Sequence, residues 1–119
     1  MSLGVIQTRA GFLAARHGPS IPKRSCVIQC CARQDGEPLT RYGLTATKRL
    51  GNAVVRNRAR RRLREAARQL LPEFGLAGHD YVFIARHGLL TRAWADVLDD
   101  VRSGLISLRA SSSTSSAAP

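Results

Sequence analysis

Between Lys48 and Leu71 the chain reads KRLGNAVVRNRARRRLREAARQLL, nine Arg or Lys residues against the single acid Glu65. On a period of 3.6 residues, Val55, Ala59, Leu63, Ala66 and Leu70 fall along one side and Asn57, Arg61, Arg64 and Arg68 near the opposite side. Arg56 and Arg60 take one flank, Arg58 and Arg62 the other. Such a helix can bury one narrow seam, best laid on a sheet, while the rest of its surface is cationic. Asn52 is placed to cap its first turn, and Pro72 with Gly75 is expected to end it. A solvated helical face normally mixes signs, with acids pairing to bases four residues on. This run lacks those acids, so its charges repel until an anion neutralises them. Planar guanidinium groups suit bidentate contact with phosphate. The preferred partner is a polyanion.

The rest of the composition narrows the class. Net charge is +11, and residues 41–68 hold ten bases and one acid. A focused positive patch attracts nucleic acid or acidic membrane surfaces. The small Ala/Val seam of the helix suits packing on protein better than insertion into lipid, and no apolar run is long enough to span a bilayer, so no membrane partner is expected. Cys26, Cys30 and Cys31 lack metal-ligand spacing and read as small strand residues in a reducing compartment. With no secretory leader pattern at the N-terminus, the expected location is the cytoplasm.

Along the chain, Arg9–His17 is a short helix candidate centred on Phe12 and closed by Gly18 and Pro19. Cys26–Ala32 reads as a strand, QDGEP as a turn, and Leu39–Lys48 as a return strand, which together suggest a hairpin. Gly43 inside that second strand suggests a bulge or a close approach. Asp80–Ala85, DYVFIA, reads as a central strand, and Leu90–Leu108 as one amphipathic helix carrying Trp94, Val97, Leu98, Val101 and Leu105. Residues 1–109 form a single α+β domain, a two-layer sandwich of helices on a small mixed sheet, followed by a disordered Ser/Ala tail over 110–119. A strand–helix–strand crossover would normally be right-handed.

No protein active site emerges. His17, His79 and His87 are scattered, without a partner base or nucleophile in a motif. Asp96, Asp99 and Asp100 could mimic a metal cluster, but a solvated face balancing Arg92 and Arg102 is the better reading. No phosphate-cradling glycine loop occurs.

The run LTATKRLGNAVVRNRARRRLREAAR resembles the signature of the bacterial ribonuclease P protein subunit: Arg56-Asn57-Arg58, preceded by a Lys/Arg pair and Gly-Asn-Ala and followed by further bases. Phe12 in a short first helix, the DYVFIAR strand and the last helix extend the likeness over roughly residues 8–108. The resemblance implies a left-handed β-α-β crossover, against the general rule. It implies that Lys48, Arg49, Asn52, Arg56, Asn57, Arg58, Arg60, Arg61 and Arg64 face a catalytic RNA. It implies magnesium held mainly by that RNA, and a cleft near Phe12, Arg16 and Val27 for the 5′ leader of precursor tRNA. Phe12 is the lone aromatic in the cleft region, so leader contact there should rest on shape and backbone electrostatics rather than stacking. The competing readings are a general structured-RNA-binding or ribosomal-type protein, and a self-sufficient nuclease built on the aspartates of the last helix. A DNA-reading helix-turn-helix fits poorly, and no DNA partner is expected, because a strand follows the basic helix.

Overall fold

The computed structural model describes the backbone of residues 3–117 and the side chains of residues 3–110. Strand β1 (Leu3–Val5) leads into helix α1 (Arg9–Arg16), then β2 (Ser20–Pro22), β3 (Cys26–Ala32) and β4 (Thr40–Thr45). A 3-10 turn (Lys48–Leu50) precedes α2 (Ala53–Phe74), followed by β5 (His79–Ala85), α3 (Gly88–Thr91) and α4 (Trp94–Ala117). The strands form one mixed sheet in the order β1-β4-β5-β3-β2. β4 runs parallel to both β1 and β5, whereas β3 is antiparallel to β5 and β2 is antiparallel to β3.

β5 is the central strand, as its apolar run implies. The expected β3–β4 hairpin does not form, because β5 lies between those strands and pairs with both. Tyr81, Val82 and Phe83 are buried on alternating faces, and a strand buried on both faces belongs in the sheet interior. The connection from β3 to β4 is instead spread wide. Arg33 donates to the carbonyls of Glu37 and Leu39 at the turn and to Asp80 on β5 at 2.9 Å. The turn chemistry itself was legible: Gln34 and Gly36 carry positive φ values of 60° and 79°.

The main core lies between one sheet face and the helices α2 and α4. Cys26, Ile28, Cys30, Tyr42, Tyr81 and Phe83 meet Ala59, Leu63, Ala66, Ala67 and Leu71 of α2 and Val97, Val101, Leu105 and Leu108 of α4. The small α2 residues let that helix sit close, so its seam drifts from the expected Val55 and Leu70, which are half-buried, to Ala67 and Leu71. On the other face, α1 packs Ala15 and Phe12 against Val82, Cys31 and Ile84. Cys30 and Cys31 thus face opposite sides of β3, as adjacent strand residues must. Gly43 is a close approach rather than a bulge: a Cβ there would stand 2.5 Å from the Phe12 ring.

Two boundaries differ from expectation. α2 runs through Pro72 to Phe74 before Gly75 donates its N–H to the Leu71 carbonyl at 2.8 Å. Pro72 lies on the exposed side of the last turn and has no N–H to offer the Arg68 carbonyl. The single helix expected from Leu90 is broken at Arg92, whose φ and ψ of −74° and 147° are extended, so that α3 and α4 meet at a corner. The α4 backbone continues to Ala117, while the side chains of residues 111–117 and residues 118–119 altogether lie outside the described residues. Over residues 110–117 the backbone is therefore helical where a disordered tail is expected, and only the end of that tail falls outside the described residues. Among the described residues, no helix is long and apolar enough to cross a membrane.

Candidate nucleic-acid interface

α2 begins as its sequence dictates: the Asn52 side chain accepts the Val55 N–H at 3.0 Å and fixes the entry of the helix. That bond occupies the Asn52 oxygen, leaving its amide N–H groups for a partner. Lys48 and Arg49 project exposed from the 3-10 turn just upstream. Asn57, Arg58, Arg61 and Arg64 are exposed along the outer side of α2, and Arg68 continues the row. Arg56 and Arg60 are half-buried on the flank. Arg60 donates to Asn57 Oδ1 at 3.2 Å and reaches the Ala46 carbonyl at 3.5 Å, while Arg56 Nε is buried with no partner among the described residues.

The acids lie elsewhere. Five ion pairs occur among the described residues: Arg33–Asp35, Arg33–Asp80, Arg41–Asp80, Arg92–Asp100 and Arg102–Asp99. None touches α2, whose two acids are Glu65, which accepts from Gln69, and Glu73 in its last turn, beyond the arginine run. The α2 surface is thus a band of uncompensated guanidinium groups on a rigid element. It can clamp phosphates without first breaking internal salt bridges.

A groove of about 290 Å³ opens beside this band, between β1, α1, β4 and α2. Ile6, Phe12, Tyr42 and Leu44 give it apolar walls, and Arg60 and Arg64 stand at its edge. The fold therefore brings Phe12 to the basic helix. Arg16, exposed at the end of α1, and Val27, half-buried on β3 opposite Ile84, do not line this groove. Sequence reading missed Val5, Ile6, Tyr42 and Leu44, because β1 is too short to carry a period and its pairing with β4 is non-local.

Candidate catalytic groups stay apart. Asp100 is held by Ser25 and Arg92, and Asp99 by Arg102. His17 and His87 are exposed, and His79 contacts the Ala77 carbonyl. Burial drives the thiols of Cys26 and Cys30 up to about 12, so neither is a ready nucleophile or metal ligand near neutrality.

Comparison with known proteins gives one consistent picture. The model of the family described as Ribonuclease P matches residues 5–109. A ribonuclease P protein component of Caulobacter vibrioides (strain NA1000 / CB15N) is 52% identical over 105 residues, 88% of this chain and 70% of that protein. One from Erythrobacter litoralis is 43% identical over 98 residues, 82% of this chain and 78% of that protein. Among solved structures, the RNase P protein of Staphylococcus aureus superposes with a TM-score of 0.71 at 27% identity, covering 85% of this chain and 91% of that one. The RNase P protein from Thermotoga maritima shares the fold, with a TM-score of 0.69 at 24% identity over 83% of this chain and 91% of that one.

Proposed function

The chain belongs to the ribonuclease P protein family, and from that premise we propose that α2 with its preceding turn binds the catalytic RNA while the groove beside Phe12 receives the 5′ leader of precursor tRNA. As a protein subunit of ribonuclease P, it acts in the 5′ maturation of tRNA. The observation that supports the binding role best is the unpaired arginine surface of α2. Lys48, Arg49, Asn52, Arg56, Asn57, Arg58, Arg60, Arg61 and Arg64 would neutralise phosphates where two RNAs meet, displacing their counterions. Arg60 and Arg64 would extend that contact to the leader backbone, with Phe12 as a wall of its cleft.

The bond-breaking chemistry belongs, in this reading, to the RNA. Magnesium would sit mainly on RNA phosphates, since among the described residues no group of three or more His, Cys, Asp or Glu converges to hold a metal. Neutralising nearby phosphates would strengthen substrate binding and lower the bulk magnesium requirement. The site of action would be the cytoplasm.

The test is reconstitution at low magnesium with a bacterial ribonuclease P RNA and a precursor tRNA. Correct cleavage with both RNA and protein, and none with either alone, is the expected result. Cleavage by the protein alone would overturn the assignment of chemistry to RNA. Tight RNA binding without stimulation, where a known protein subunit stimulates, would mark a general RNA-binding protein.

A further inference from the structure

Arg62 lies in the middle of the basic run, yet its guanidinium faces protein. Nη1 donates to the Leu89 carbonyl and Nη2 to the Arg92 carbonyl at 2.9 Å, while its Cζ lies 5.6 Å from the centre of the Trp94 ring. The short helix α3 leaves those carbonyls without intrahelical donors, and the planar fork of Arg62 satisfies two at once. The corner between α3 and α4 is therefore tied to α2.

The tie continues. The Arg92 side chain holds Asp100, with Nη2 donating to Oδ1 at 3.1 Å. Asp100 Oδ2 accepts the N–H and the hydroxyl of Ser25 at 3.2 and 2.5 Å. The Ser25 carbonyl accepts the Arg86 N–H at 3.1 Å, and Arg86 Nη1 donates to the Lys23 carbonyl at 3.0 Å. This relay underlies an open cleft of about 1160 Å³, with Lys23, Arg24, Arg49, Arg86 and His87 among its lining residues.

We infer that Arg62 is a positioning residue: it contacts no phosphate, and instead fixes the α3–α4 corner and through it the spacing of the cationic walls across from Arg49. The inference rests on the RNA-binding reading of α2, but its test separates the two. The chain has one tryptophan, Trp94, so its fluorescence reports the corner in the RNA-free protein. Arg62→Met and Arg62→Lys should both shift that emission, because neither spans two carbonyls while stacking on the ring; Arg58→Ala should not. In RNA titrations at several salt concentrations, Arg62→Met should bind several-fold more weakly throughout with the parent's salt slope. Arg58→Ala should lower that slope by about one unit. Arg62→Lys should bind as poorly as Arg62→Met.

A slope reduced by about one unit in Arg62→Met, or parent affinity in Arg62→Lys, would identify a phosphate contact and overturn the proposal. Unchanged emission in both variants would do the same. If Arg58→Ala also leaves the slope untouched, the RNA reading of α2 fails instead, and the emission alone decides the role of Arg62.

Discussion

Asp80 carries more of this structure than its place in the sequence suggests. It is 1% exposed and takes two cations, Arg33 Nη1 at 2.9 Å and Arg41 Nη2 at 2.6 Å. Asp80→Asn would take the carboxylate charge from Arg41, which Asp80 grips with both oxygens, and from Arg33, a side chain 7% exposed that keeps Asp35. A destabilisation of about 3–5 kcal/mol is expected, read as a lowered thermal midpoint. A midpoint within a degree of the parent would show that the pair is replaceable. The thiols give a pH prediction. Cys26 and Cys30 are raised to about 12 when folded, so below about 9 they are neutral in both states and do not affect stability. Above that, the unfolded chain ionises first, and stability should fall by about 1.4 kcal/mol per thiol for each pH unit until the folded values are reached. Cys26→Ala with Cys30→Ala should flatten that alkaline loss. Local chemistry was legible at this scale wherever it acts within one turn: Asn52 caps as its side chain dictates. Asp80 was not, because its partners lie 47 and 39 residues away.

The elements show the same division. α2 was readable because its seam, its cap and its charge act along one helix. The sheet order was not, since the two strands flanking QDGEP satisfy every local requirement of a hairpin. What separates them is β5, whose buried Tyr81, Val82 and Phe83 need neighbours on both sides. The broken last helix was equally hidden: Leu90 fits the α4 stripe, but the corner is held by Arg62, which belongs to another helix. At the groove, Gly43→Ala would push against the Phe12 ring 2.5 Å from the new methyl. Overpacking of this kind costs about 1–3 kcal/mol. With α1 displaced, preference for precursor over mature tRNA should narrow while affinity for the catalytic RNA is kept. Equal losses for both RNAs would separate the groove from leader recognition.

For the whole molecule, the described core ends near Leu108, 4% exposed at the close of the α4 stripe. A chain stopped after Ala110 keeps every buried side chain described, so its thermal midpoint and its stimulation of cleavage should match the parent; a large loss in either would assign the Ser/Ala segment a contact of its own. The placement of β5 also sets an order of events. It is the fifth strand made and the third in the sheet. As the chain leaves the ribosome, β2–β3 and β1–β4 can exist only as two separate ribbons, each with an open inner edge. The native junction between them cannot form, because their shared neighbour has not yet been synthesised. Synthesis up to residue 78 should therefore give a protease-sensitive nascent chain, with protection arriving in one step once residues 79–85 emerge. The basic helix is complete before that step, so RNA already bound to it could hold the two halves near each other while they wait.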